Sequence, residues 1–152
     1  MVKHIPLTLA LWAFAAVTPV IAADKDDAGK KELEKLQGTW NFVIVVIDGN
    51  QLPKGEGPQT ITFKGDTITV KQGDKVLQAG THKLDPSTKP NSVDAKITEG
   101  EGKGGSMLGI YELNGDTLKV CFDMQGKKRP TEFKAPSGSG HFQATMKRSE
   151  KK

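Results

Sequence analysis

The sequence is short of the side chains from which active sites are usually built. Its 152 residues include one cysteine, three histidines and one tyrosine. The lone Cys121 excludes an internal disulfide, so packing has to hold the fold, and the thiol reads as buried and inert. His82 and His141 have no ligand-type neighbour at metal spacing, so neither a metal nor another cofactor is implied. No nucleophile stands with a base and an orienting group, and the expectation is a protein that is not an enzyme. Lys103-Gly104-Gly105 lacks the strand-to-helix context of a phosphate cradle. Charge of one sign is never massed: the net is +4, the signs are interspersed, and only the tail from Lys147 to Lys152 is a basic block. That balance argues for solubility and against nucleic acid as a partner.

Long apolar runs are confined to the N-terminus. Lys3 and His4 precede an apolar stretch from Ile5 to Ile21, which Pro6 and Pro19 interrupt. Val20-Ile21-Ala22-Ala23 then supplies small residues suited to a cleavage site. The uninterrupted run falls short of the ~18–20 residues of a spanning helix, and the charged block Asp24–Lys31 follows at once. Residues 1–23 therefore read as a cleaved signal peptide. No cysteine follows for lipid attachment. The expectation is a secreted protein, periplasmic or extracellular, without stable membrane insertion once the signal is removed.

What remains is one domain's worth of chain. Residues 24–30 read as a polar, disordered leader and 31–149 as the folded domain, opened by a short helix over Lys30–Leu36 that Gly38 stops. Such a helix is too short to stand alone and must dock. Strand signals then recur between turn residues, over 39–47, 60–63, 67–71, 75–84, 92–98, 106–113, 117–123 and 141–148. A further edge-like segment lies at Arg129–Phe133. Asp48-Gly49 and Asn114-Gly115 are the strongest hairpin turns. Leu118, Val120 and Phe122 share one face, with Cys121 on the other, whereas Phe42–Ile47 breaks the alternation. No helix is available for parallel crossovers. The pattern predicts an all-β fold: an antiparallel, eight-stranded up-and-down barrel with a short N-terminal helix, or alternatively a β-sandwich.

Two sets of residues carry a family resemblance. Gly38-Thr39-Trp40 opens the first strand after a helical turn, and Arg148 (or Lys147) ends the last. This arrangement resembles the lipocalin and fatty-acid-binding superfamily, and the resemblance implies a barrel floor in which Gly38 and Trp40 are capped by the Arg148 guanidinium. The second set is Glu34-Lys35-Leu36-Gln37-Gly38-Thr39-Trp40, Phe63-Lys64-Gly65-Asp66, Gly80-Thr81-His82-Lys83-Leu84-Asp85-Pro86, Gly109-Ile110-Tyr111-Glu112-Leu113, Leu118-Lys119-Val120-Cys121-Phe122 and Arg129-Pro130-Thr131-Glu132-Phe133. In this order they resemble an uncharacterised lipocalin-like family of exported bacterial domains, which implies a fold and no activity. At position 82 that family more often carries an aromatic residue.

Four residues are candidates for contact with a ligand: Tyr111, Arg129, Glu132 and His82. Tyr111 shares a face with Met107, Gly109 and Leu113, where it would line a lumen or fill it. Arg129, with Glu132 nearby, would either clamp a carboxylate or phosphate at the barrel mouth or pair with a carboxylate to pin a loop. The function expected is an exported binding module for a small hydrophobic or amphipathic ligand. The alternative is a ligand-free structural or protein-interaction domain of the cell envelope. Interior volume separates the two.

Overall fold

A computed structural model describes residues 25–150, so the signal segment read over 1–23 lies outside the described residues. Helix α1 spans Lys25–Leu36 and leads into nine strands: β1 Gly38–Ile47, β2 Asn50–Gln51, β3 Thr60–Lys64, β4 Thr67–Gln72, β5 Lys75–Asp85, β6 Asn91–Gly100, β7 Ser106–Asn114, β8 Thr117–Asp123 and β9 His141–Arg148. The helix starts earlier than the sequence suggested, so residues 25–30, expected as a disordered leader, are its first turns. Two causes extend it. Asp27 lies near the N-terminus, where the helix dipole favours negative charge. A Cβ on Gly29 would stand 3.4 Å from the Leu84 carbonyl, so these turns lie close against the end of β5.

Strands β3 to β9 follow one another in antiparallel meander order, and β1 pairs with both β3 and β9. The result is a closed eight-stranded antiparallel barrel, and the sandwich alternative is set aside. The short β2 only extends the β1 hairpin, through Asp48 (φ 48°) and Gly49 (φ 84°). Three other hairpins share one solution. Gly65-Asp66, Gly73-Asp74 and Gly115-Asp116 each connect two strands with the glycine alone at positive φ, at 59°, 57° and 61°. Asn114 thus belongs to the β7 ladder, and the turn is glycine-first, as in type II′.

The unbroken apolar run in β1 has a simple cause. A bulge at Val43 shifts the register against β9, so that Phe42 pairs with Met146 and Ile44 with Thr145. Trp40 and Phe42 face the core before the bulge, and Val45 and Ile47 after it. Val43 and Ile44 are left outside, 55% and 40% exposed. An inserted residue inverts the parity of everything after it.

The segment 124–140 is not a strand around Phe133, as the sequence had suggested; it is a strap across the outer face of β7 and β8. It covers Ile110 and Cys121, which point away from the lumen and are nonetheless 1% and 0% exposed. Cys121 donates to the Lys134 carbonyl at 3.3 Å, and burial pushes the thiol's pKa up. Arg129 staples the strap to the wall. Its Nη1 donates to the Val93 and Gly109 carbonyls at 3.1 and 2.7 Å, and its Nη2 to Asp94 Oδ1 at 2.6 Å. Pro130 has no N–H to give a ladder, so the side chain beside it makes the attachment instead.

One end of the barrel is sealed by a complete account of the helix's last carbonyls. Four carbonyls at a helix C-terminus have no partner within the helix. Here Gln37 Nε2 donates to the Leu33 carbonyl, Trp40 Nε1 to Leu36 at 2.9 Å, and Arg148 Nη2 to Lys35 at 2.7 Å. The Gln37 amide N–H reaches the Glu34 carbonyl at 3.4 Å. Arg148 also donates from Nη1 to the Gln37 carbonyl, lies 4.2 Å from the centre of the Trp40 ring, and pairs with Asp116. Removing this guanidinium by Arg148→Ala is expected to cost about 2–3 kcal/mol, read as a lowered denaturant midpoint, with Arg148→Lys only partly restoring it. An unchanged midpoint would show that the floor does not depend on Arg148.

Asp123, the last residue of β8, is a buried carboxylate accepting from the strap amides of Lys128, Gln125 and Lys127, at 2.8 to 2.9 Å. Those amides, Lys128's foremost, hold its pKa below the ordinary 3.8 despite the opposing effect of burial. A depressed carboxylate adds stability above its unfolded value and loses it as pH falls through its folded value. The stability gap between the native protein and Asp123→Asn should therefore be open at neutral pH and close in strong acid, measured by denaturant melts. A pH-independent gap would refute the assignment.

Candidate functional site

The barrel interior is packed unevenly. Toward the helix, Trp40, Tyr111, Leu118 and Met146 are all 2% exposed or less and fill the tube together with Leu36. Further along the tube the inward side chains are smaller or stand apart, and a cavity of about 250 Å³ remains. Its wall is apolar, with Phe63, Ile68, Val93, Ala95, Ile97 and Val120 among the lining residues. The far end is bordered by Pro58, Leu77, Gln78, Glu101 and Met124. Phe42 and Phe142, on the neighbouring strands β1 and β9, meet edge to face with centroids 6.5 Å apart. Among the described residues the wall carries no lysine, arginine or aspartate, and Glu101 is its one acid.

Strand β5 places the one basic group that the described residues bring to the wall. Its ladder is bulged on both sides, against β4 at Val70/Lys71 and against β6 at Ala79/Gly80. At the second bulge a Cβ on Gly80 would lie 2.1 Å from the Lys96 carbonyl, a contact only glycine avoids. Beyond it, His82 and Leu84 face inward, both lining the cavity. His82 pairs across the ladder with Ala95 and is 7% exposed. Its ring meets Phe63 edge to face at 5.2 Å, and neither ring nitrogen has a hydrogen-bond partner among the described residues. Burial lowers its pKa, opposed by the Asp66 carbonyl and charge, so the imidazole is neutral near pH 7.

The candidate residues separate cleanly. His82 and Tyr111 line the cavity; Arg129 and Glu132 do not. Arg129 is held on the outer wall by Asp94, and Glu132 pairs with Lys134 at 3.2 Å on the exposed strap. The two neither meet each other nor reach the mouth, because the strap that carries them runs outside the tube. Tyr111 offers the lumen its ring, while its hydroxyl turns to Glu32 of α1 at 3.3 Å. His141 lies by the strap, 3.3 Å from the Lys134 carbonyl. Among the described residues no group of three His, Cys, Asp or Glu side chains is placed to hold a metal ion. Gln78, whose Nε2 donates to the Glu101 carbonyl, and Met124 are rim residues that alternation did not single out. Their roles follow from closure of the barrel, which has no local signal in sequence.

Burial, then the Glu32 charge and hydrogen bond, raise the Tyr111 pKa far above 10.0. Stability from this group is complete below the unfolded value of 10.0 and drains away as pH climbs toward the folded one. As the chain has one tyrosine, tyrosinate absorbance reports it alone. Raising the pH to about 11 should produce no tyrosinate while the protein stays folded, and the signal should arrive with unfolding. Ionisation near the ordinary value in the folded protein would place the phenol in solvent.

No protein-family model matches the chain, nor does any curated protein or solved structure, and its fold is that of a lipocalin-like barrel: eight antiparallel strands closed behind one N-terminal helix.

Proposed function

We propose that this chain is an exported binding module that takes one small apolar ligand into the barrel lumen. The observation that carries the reading is the 250 Å³ cavity with its apolar wall. An eight-stranded barrel can be filled by its own side chains or can hold a small ligand, and the space here supports the second. A buried apolar void of about 150 Å³ already admits a benzene ring, and drug-sized sites begin near 300 Å³. The lumen therefore suits a ligand of one or two rings, or a short chain. Binding is favoured over catalysis because His82 lines the lumen and Cys121 lies under the strap, on opposite faces of the wall. The competing interaction-domain reading draws on Val43 and Ile44, the exposed apolar pair on β1. Two adjacent side chains make a small patch, and scattered apolar exposure is ordinary.

Native and denaturing mass spectra of protein recovered from the exported fraction test the reading directly: a mass excess lost on denaturation is a bound small molecule. In solution, toluene should shift the methyl resonances of Val93, Ile97 and Val120 in a saturable way. Ala95→Leu, which extends a wall residue into the void, should remove that response and leave the melting temperature equal or higher. A lumen that takes up no toluene, in protein free of any co-purified mass, would defeat the proposal.

A further inference from the structure

The lumen contains one group that an apolar ligand would leave unsatisfied. Elsewhere in the fold the buried polar side chains are paired: Ser92 with Thr88 at 2.7 Å, Asp123 with three amides, Trp40 with the Leu36 carbonyl and Tyr111 with Glu32. Among the described residues the only buried side-chain nitrogens or oxygens without a partner are Nδ1 and Nε2 of His82. A buried donor or acceptor left unpaired destabilises the fold, and an apolar residue of similar size there would avoid that cost. Its position is also specific. The ring lies among inward residues of β3, β5 and β6, with Phe63 against it and Ala95 across the ladder. Along β5 it lies well beyond the rim residue Leu77 and next but one to Leu84, whose carbonyl meets Gly29 of α1.

We propose that the ligand bears one uncharged hydroxyl, as in a phenol or lipophilic alcohol, and that His82 hydrogen-bonds it deep in the lumen while the ligand's apolar body lies toward the rim. This inference rests on the lumen-binding reading and names its ligand class. A neutral imidazole has one N–H donor and one bare nitrogen acceptor, and a hydroxyl can answer either. A carboxylate or phosphate head fits poorly. Among the described residues no lysine or arginine lines the wall, so an anion there would be desolvated without a counter-charge, and Glu101 borders its way in. An ammonium head would likewise lose its hydration in this apolar wall, where among the described residues Glu101, at the rim, is the one carboxylate of the lining.

The test compares 4-ethylphenol with 4-ethyltoluene, which differ by hydroxyl against methyl, titrated into the recovered protein by calorimetry. The ring nitrogens of His82 are followed in the same samples by nitrogen-15 NMR. The phenol should bind about tenfold more tightly, and it alone should move the His82 ring resonances. In His82→Leu the ratio should fall to about one. Equal binding of the two probes, ring resonances that respond to both alike, or a preference that survives in His82→Leu would overturn the role of His82 and leave the lumen reading standing. Binding of neither probe would overturn both. Should His82→Leu fail to fold, the affinity ratio and the ring resonances of the unaltered protein still decide the matter.

Discussion

One seam governs this molecule: β1 bonds to β3 along its first residues and to β9 along nearly its whole length. Closing the sheet there removes its edges and fixes the bore, since strand number sets the diameter of a barrel. The seam is made where the chain's two ends meet. Trp40 and Arg148 are cross-strand partners, and together they bind the carbonyls of Lys35, Leu36 and Gln37. Helix capping, strand pairing and the floor of the lumen are thus one set of contacts. A weakened floor would loosen the helix and the closure together.

A fixed bore makes occupancy a question of side-chain size. The floor layers carry Trp40, Tyr111 and Met146, which fill the tube. The layers beyond carry Ala95, Val93 and Val70, which leave it partly empty. The outer wall obeys a different rule. Ile110 and Cys121 are apolar where an up-and-down strand would ordinarily meet water, and the strap from Met124 to Gly140 covers them. Arg129, Asp123 and Asp48 then attach the strap to β6 and β7, to its own first turn and to the β1 hairpin. The charged groups that looked most suited to chemistry are spent on holding this cover in place.

Much of the architecture was legible because it rests on local chemistry. Alternation in β4, β6, β8 and β9, glycine-aspartate turns and the Gly38-Thr39-Trp40 start each carry their own signal. What was not legible depends on partners distant in sequence. Phe42–Ile47 shows no period because one inserted residue at Val43 changes the inward parity, and a bulge exists only relative to the strand opposite. Arg129 reads equally as a clamp or a staple until Asp94 and the Gly109 carbonyl, from two other strands, are seen beside it. Helix α1 begins before its expected start because β5 lies against its first turns. His82 stood among the ligand candidates, but its burial in the lumen without partners is a property of the whole enclosure.

That lack separates the lumen from the rest of the fold. Local choices in a stable protein tend to agree, and the exceptions concentrate where function has set the residue. Outside the lumen this chain satisfies its buried polar atoms with economy, down to the hydroxyl of Ser92 and the thiol of Cys121. Inside it, a histidine stands against Phe63, in an apolar wall where a leucine or phenylalanine would pack at less cost. Packing cannot explain that choice, since packing is what it harms. A ligand that supplied the missing hydrogen bond would recover the cost on binding, and would do so only if it carried the matching group. The same residue that weakens the empty barrel would thereby discriminate among its guests.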